Sequence, residues 1–374
     1  MAHRTLPRKD GNPTPAVPER GFHLDAARKF FPSMWIHELL ERMAQLEFNA
    51  FQWHFSENEG VRLESLAFPE IVSEQFITRD EAREIIAHAA ELGIAVVPSL
   101  DMPGHLRQAL GTRPQLRLPE GLGGADTRHA LDITASAGRD FAKRLIDDYA
   151  DLFGDSTHWN LGGDEFVDFG RIDDYPALSE EAHRRFGPAA TGFDLLTDFV
   201  NEIAEHLVGL GFVLRAWNDG LLRSEFVTLD HRIEIAWWTN WHAGMTPLAD
   251  ALEAGHRVLN FHDSQWYYVV GETSYLHPTA ERAWATDWHP GLFPRLTDRS
   301  PQLLPKPYPE HLLGAYFSVW CDAPDDETVE EIAERIALPM AAFAERCWNG
   351  GSDLTYPEFV ALASEVSPAS GACA

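Results

Sequence analysis

Two adjacent carboxylic acids, Asp164 and Glu165, close the stretch His-Trp-Asn-Leu-Gly-Gly-Asp-Glu-Phe at residues 158–166. Acids held side by side repel one another, and folded chains keep such pairs chiefly where chemistry uses them. Paired carboxyls point to glycoside chemistry, in which one protonated carboxyl donates to the leaving oxygen while another group stabilises the positive charge developing on the sugar. Neighbours on one loop cannot readily take opposite faces of a sugar ring, as an acid and a carboxylate nucleophile must. The pattern therefore favours one acid as proton donor and its neighbour as orienter of a nucleophile that the substrate carries. The rival reading is a helix N-terminus, where the dipole favours acids; the apolar run and the two glycines in front of the pair speak against it.

Elements that could present such a pair are legible along the chain. Residues 21–25 read as a first strand, and Pro32-Ser33 opens a helix with Trp35, Ile36, Leu39, Leu40 and Met43 at helical spacing. Residues 48–55 read as a second strand. Thr78 with Glu81 makes a capping box for a helix that Gly93 ends, and residues 94–98 form a third strand, continuously apolar as strands buried on both faces are. A helix near 139–152 leads to a fourth strand at 158–161, and one at 193–210 to a fifth at 213–217. Strands at 233–237, 257–261 and 313–320 and a helix from 328 to about 347 complete the pattern. Eight strands alternating with helices predict an α/β fold, a (β/α)8 TIM barrel over residues 20–350, with an N-terminal arm at 1–19 and a C-terminal extension at 351–374. A doubly wound open sheet is the alternative, but no Gly-rich phosphate turn follows the first strand.

On a barrel the residues just after the strands converge. They are Arg20 and Asp25 near the first strand, then His54, Glu57, Asp101, His105, Asp164, Glu165, Trp217, Asn218, Asp219, Trp237, Trp238, His262, Asp263, Trp266, Tyr267, Trp320 and Asp322. Twelve tryptophans exceed what packing of this core calls for, and those at strand ends suit the apolar face of a sugar ring. Trp35, Trp53, Trp159 and Trp348 read as core.

Composition narrows the partners. The formal charge of −28 opposes binding to phosphate backbones and anionic lipids, so neither nucleic acid nor membrane is expected as a partner. Cys321, Cys347 and Cys373 are odd in number and widely spaced, unlike a disulfide scaffold or a zinc ribbon. No export signal is visible in the first residues, so the expectation is a cytoplasmic protein unless a signal was removed. Oligomeric state is not legible.

The motifs together resemble the catalytic domain of family 20 glycoside hydrolases, the β-N-acetylhexosaminidases, from Arg20 to about Cys347. They are Arg20-Gly21-Phe22-His23-Leu24-Asp25-Ala26-Ala27-Arg28, Phe48 to Phe55, Asp101-Met102-Pro103-Gly104-His105, Leu161-Gly162-Gly163-Asp164-Glu165, and Trp320 with Asp322. The resemblance implies hydrolysis of terminal β-linked N-acetylhexosaminides with retention, the substrate's 2-acetamido group serving as nucleophile through an oxazolinium intermediate. By the same likeness Glu165 is the general acid and base, Asp164 orients the acetamido N–H, and Tyr267 binds the acetamido carbonyl, with Tyr268 as the alternative. His105 and Glu57 stand behind Glu165. Arg20 and Asp322 hold sugar hydroxyls, and Trp217, Trp237 or Trp238, Trp266 and Trp320 belong to the substrate pocket. The implied partner is a β-N-acetylhexosaminide glycan, and no metal or other cofactor is implied.

Departures from that pattern are Glu57-Asn58 where an aspartate pair is usual, Asn160 for histidine, Ser99 for an acid and Asp322 for glutamate. They point to an altered pocket rim. Two other classes stay open: a metal-dependent barrel hydrolase using His54, Asp101, His105 and Asp164, and a sugar-binding barrel without catalysis.

Overall fold

A computed structural model describes residues 14–240, 242, 244–271 and 275–366. Its first half comprises β1 (Glu19–Asp25), α1 (Ser33–Gln45), β2 (Ala50–Ser56), α2 (Arg79–Glu91), β3 (Ala95–Leu100), α3 (Arg107–Gly111), α4 (Ser136–Ala150) and β4 (His158–Asn160). There follow α5 (Pro176–Phe186), α6 (Gly192–Gly209), β5 (Val213–Trp217), β6 (Glu234–Trp237), α7 (Leu248–Glu253), β7 (Val258–Asn260), α8 (Asp263–Trp266) and β8 (Tyr267–Val269). The chain continues through α9 (Ala280–Ala285), β9 (Leu292–Phe293), β10 (Gln302–Leu303), β11 (Leu312–Trp320), α10 (Val329–Asn349) and α11 (Tyr356–Val366).

Strands β1 to β7 pair in sequence order, β7 pairs with β11, and β11 pairs back with β1, all in parallel. The sheet is thus a closed eight-stranded barrel, as the alternation predicts. Short β8 adds to the outer end of β11, with Tyr267 beside Ser318. In the described part of the C-terminal extension, α11 docks on the barrel's helices, with Phe359 stacked on Trp284 at 4.4 Å. In the described part of the arm, Val17 is buried and the Ala16 N–H donates to the Trp348 carbonyl. Cys373 lies outside the described residues.

Period two along the strands sorts the side chains. Phe22 and Leu24, Phe51 and Trp53, and Phe317 and Val319 point outward into the large apolar layer beneath the helices. Inside, Tyr316 fits only because Gly21 has no side chain: a Cβ there would lie 2.2 Å from the tyrosine ring. Above it comes a polar layer in which Gln52 bonds His23 at 3.0 Å and Asn160 at 3.3 Å, and His54 bonds Ser99 at 2.9 Å. A smaller apolar cluster containing Trp217, Trp238, Tyr267 and Trp320 caps that layer at the C-terminal end.

Candidate active site

The turn after β4 is built to deliver two acids. Asn160 accepts the Gly162 N–H at 2.7 Å, and Gly162 and Gly163 take φ values of +83° and +87°. Only glycine serves at the first position, since a Cβ there would sit 1.3 Å from an Asp101 oxygen. Glu165 continues in the left-handed region at φ +43° although it is not glycine. Asp164 and Glu165 thereby reach a 110 Å³ cavity whose walls include Trp217, Trp238, Tyr267 and Trp320. Its rim carries Arg28, Tyr275 and Asp322. Trp238 and Tyr267 stand parallel, 4° apart with centroids at 6.2 Å, and Tyr267 also meets Trp320 at 5.8 Å.

One imidazole ties the acids together. His105 places Nε2 3.5 Å from an Asp164 oxygen and 3.7 Å from a Glu165 oxygen, while Nδ1 lies 3.0 Å from Glu57. Burial disfavours a charged imidazole, but the fields of Glu57, Asp164 and Asp101 together outweigh it and hold His105 well above the ordinary histidine range. With both ring nitrogens protonated, Nδ1 donates to Glu57, while Nε2 faces the two acids without a hydrogen bond to either. Burial would likewise raise Glu57, yet Arg28 at 2.7 Å and His105 keep it well below the usual carboxylate range. Arg28, Glu57 and His105 form a chain of alternating charge that ends on the two acids.

Asp101 and Asp164 show the opposite balance. Neither Asp101 oxygen has a donor among the described residues, and the group is fully buried. Burial first, then the Asp164 charge, raises it well above the ordinary range, and burial raises Asp164 despite His105. Asp219 is pushed up to about 8 by burial and by the charges of Asp164 and Glu165. One proton retained in such a cluster relieves the repulsion that full ionisation would bring. The possible ligand atoms of Asp101, His105 and Asp164 lie within 4.8 Å of one another, as do those of His54, Glu57 and Asp101. Three of the four residues of the metal-dependent reading, Asp101, His105 and Asp164, therefore converge, whereas His54 falls in the other group with Glu57 and Asp101. His105 is held in its charged form, however, and would ligate a metal only after losing a proton.

Three expected pocket residues lie elsewhere. Arg20 begins β1 at the opposite, N-terminal end, where its guanidinium donates to the carbonyls of Glu47, Val17 and Pro18 and covers Trp348. Arg28, eight residues on and past the strand's C-terminal end, is the arginine at the cavity. Trp237 faces outward because Trp217 and Ala236 are inward register partners, and its indole donates to Asn240 at 2.8 Å. Trp266 is buried outside the barrel against Trp288 and Phe343. Tyr267 lines the cavity, whereas the Tyr268 hydroxyl donates to Glu327 on the outside. Val269 and Tyr275 also line the cavity and escaped sequence reasoning, since residues 261–311 show no clear periodicity; alternation from Tyr267 would have found Val269.

A larger cavity, 620 Å³, opens at the other end between the starts of β5, β6 and β7. Its arginines are already paired, Arg232 with Glu205 and Arg257 with Glu234. Convergence of underpaired acids with aromatic walls sets the smaller cavity apart.

The family model for glycosyl hydrolase family 20, catalytic domain, matches residues 18–351. A lacto-N-biosidase of Bifidobacterium bifidum is 29% identical over 351 residues, which covers 92% of this chain and 30% of that protein. A β-hexosaminidase of Vibrio furnissii is 36% identical over 123 residues, 27% of this chain and 20% of that protein. The chain thus spans less than a third of the length of these curated relatives. Among solved structures, the Flavobacterium johnsoniae chitobiase superposes with a TM-score of 0.75 at 24% identity, over 94% of this chain and 51% of that one.

Proposed function

The chain belongs to glycosyl hydrolase family 20, and on that premise we propose that it is a retaining exo-β-N-acetylhexosaminidase acting on terminal β-linked N-acetylglucosamine or N-acetylgalactosamine. One observation carries the reading. Asp164 and Glu165 stand on one turn, within 3.5 and 3.7 Å of the same imidazole nitrogen, so both address the sugar from one side. A carboxylate nucleophile would have to work from the face opposite the acid. The substrate's acetamido oxygen supplies that attack instead.

In this account Glu165, the more exposed of the two, donates its proton to the leaving oxygen and then takes one from the attacking water. Asp164 accepts the acetamido N–H and offsets the positive charge of the oxazolinium ring. Tyr267, its hydroxyl held protonated by burial first and then by neighbouring negative charge, donates to the acetamido carbonyl. Trp217, Trp238 and Trp320 wall the sugar, and Arg28 with Asp322 holds its hydroxyls. His105 and Glu57 keep the two acids oriented.

Hydrolysis of p-nitrophenyl β-N-acetylglucosaminide followed by proton NMR tests this directly. The β-anomer of the sugar should appear first and then mutarotate; initial α-anomer would reject retention. The convergence of Asp101, His105 and Asp164 favours a metal-dependent reading as the second. Under the proposal, activity is unchanged after exhaustive chelation, and its loss with recovery on metal addition supports the second reading instead.

A further inference from the structure

The Trp217-Asn218-Asp219 segment after β5 is only partly absorbed by the mechanism above, which uses Trp217 alone. Asn218 clamps the end of β6: its side-chain oxygen accepts the Trp238 N–H at 2.9 Å, and its amide donates to the Thr239 carbonyl at 2.7 Å. Asp219 is only 3% exposed and spans two walls of the cavity. One carboxylate oxygen accepts the backbone N–H of Glu165 at 3.1 Å, and the other accepts the indole N–H of Trp238 at 3.1 Å.

Each tie has a physical reason to matter. Glu165 holds φ +43° after two left-handed glycines and Asp164, a conformation that is costly for a side-chain-bearing residue and persists only where the surroundings enforce it. Among the described residues, the Asp219 carboxylate is the one side-chain acceptor of that backbone amide. The indole of Trp238 stacks parallel to Tyr267, so anchoring its N–H also sets the spacing of the two rings. A buried carboxyl beside Asp164 and Glu165 costs stability, and a neutral or apolar residue would cost less. Retaining it there is intelligible if the catalytic frame depends on it.

We propose that Asp219 is a positioning residue, which fixes the backbone of Glu165 and the ring of Trp238 in one frame so that the proton meets the leaving oxygen of a correctly seated sugar. The inference rests on the hydrolase reading and names a residue that need not touch the sugar. Its signature follows from what proton donation does: a good leaving group departs without help, whereas an alcohol needs the proton.

The test compares kcat/KM on N,N′-diacetylchitobiose, whose leaving group is a sugar alcohol, with that on 2,4-dinitrophenyl β-N-acetylglucosaminide. Asp219→Asn keeps the shape but turns an NH2 toward one of the two donors. It should lose at least tenfold more activity on the disaccharide than on the aryl glycoside, mainly in kcat, with an unchanged far-ultraviolet spectrum. Should that variant fail to fold, Trp238→Phe, which frees Asp219 from one tie, should show the same leaving-group bias to a smaller degree. Equal losses on both substrates, or none, overturn the inference while leaving the hydrolase reading intact. A wild-type protein inert toward both substrates overturns that reading, and this inference with it.

Discussion

At the N-terminal end of the barrel Arg215 gives one nitrogen to each oxygen of Glu19, at 2.7 and 2.8 Å, and a third bond to Glu234 at 2.9 Å. Arg257 reaches Glu234 from outside at 2.8 Å, and the Tyr316 hydroxyl donates to Glu19. At the C-terminal end Asp101, Asp164, Glu165 and Asp219 gather near His105 and Arg28, with Arg223 donating to the Asp219 carbonyl. Both ends bury charge inside the same strands, yet the first matches each acid with a donor and the second leaves acids in surplus. The balances differ accordingly. Burial alone would raise Glu234, but His158 and Arg215 bring it down to about 2, whereas Asp219 goes up to about 8. A satisfied cluster holds a fold together; an unsatisfied one keeps protons available near neutral pH, and chemistry requires that.

Breaking one member at each end should separate these roles. Glu165→Gln should lower kcat/KM on diacetylchitobiose by about 10²–10⁴-fold, the usual contribution of a general acid, with the melting temperature nearly unchanged. Arg215→Met should do the reverse. Removing one partner of a buried ion cluster costs about 3–5 kcal/mol, visible in urea denaturation, while specific activity of the folded protein holds. Substantial loss of folded-state activity in Arg215→Met would erase the distinction between the ends.

The two arginines of the first motif sharpen it. Arg28→Ala should raise KM about 10–100-fold, the worth of a charged hydrogen bond to sugar hydroxyls, although its pairing with Glu57 means that part of the loss will fall on kcat. Arg20→Ala should leave KM alone and reduce stability, since the guanidinium ties three carbonyls and covers Trp348. Steady-state kinetics beside thermal melts of the two variants decide between these assignments.

A pH dependence tests the same contrast. Asp219 has a folded value of about 8 and an ordinary value near 4 when unfolded. The unfolded chain therefore ionises first, and this group's contribution to stability falls as pH rises from about 4 to about 8. Asp219→Asn lacks that penalty, so its stability relative to wild type should climb across that interval and level off above it. Glu234 works in the other direction, giving stability above its unfolded value that is lost as pH falls toward about 2. Denaturation midpoints against wild type, taken from pH 2 to 9, should show the Glu234→Gln deficit developing between about pH 2 and about 4.5 and staying constant above, and the Asp219→Asn gain developing between about pH 4 and about 8.

What the sequence made legible follows from the physics that wrote it. Barrel strands carry continuous apolar runs and their helices carry capping boxes, so the eight-fold alternation and the acid pair stood out. The choice between Arg20 and Arg28 needed strand direction, because both belong to one motif while only the residue beyond the C-terminal end faces the site. Between Trp237 and Trp238 the deciding signal was register: Trp217 inward puts Ala236 inward and Trp237 out. That parity was available in the strand around Glu234. Tyr275 was not, because it lies in a long loop whose course depends on contacts distant in sequence. Asp219 was visible as a residue but not as a tie, since a hydrogen bond from Glu165, 54 positions away, leaves no local pattern.

The central claim is that the nucleophile comes from the substrate and that Asp164 and Glu165 divide orientation from proton transfer. Hydrolysis rates across p-nitrophenyl β-glucosaminides bearing acetamido, fluoroacetamido, difluoroacetamido and trifluoroacetamido groups test it, because each fluorine weakens the amide oxygen as a nucleophile. The account predicts that kcat/KM falls steeply and monotonically along the series. A flat response would mean that the acetamido oxygen takes no part in the attack, and would contradict the account.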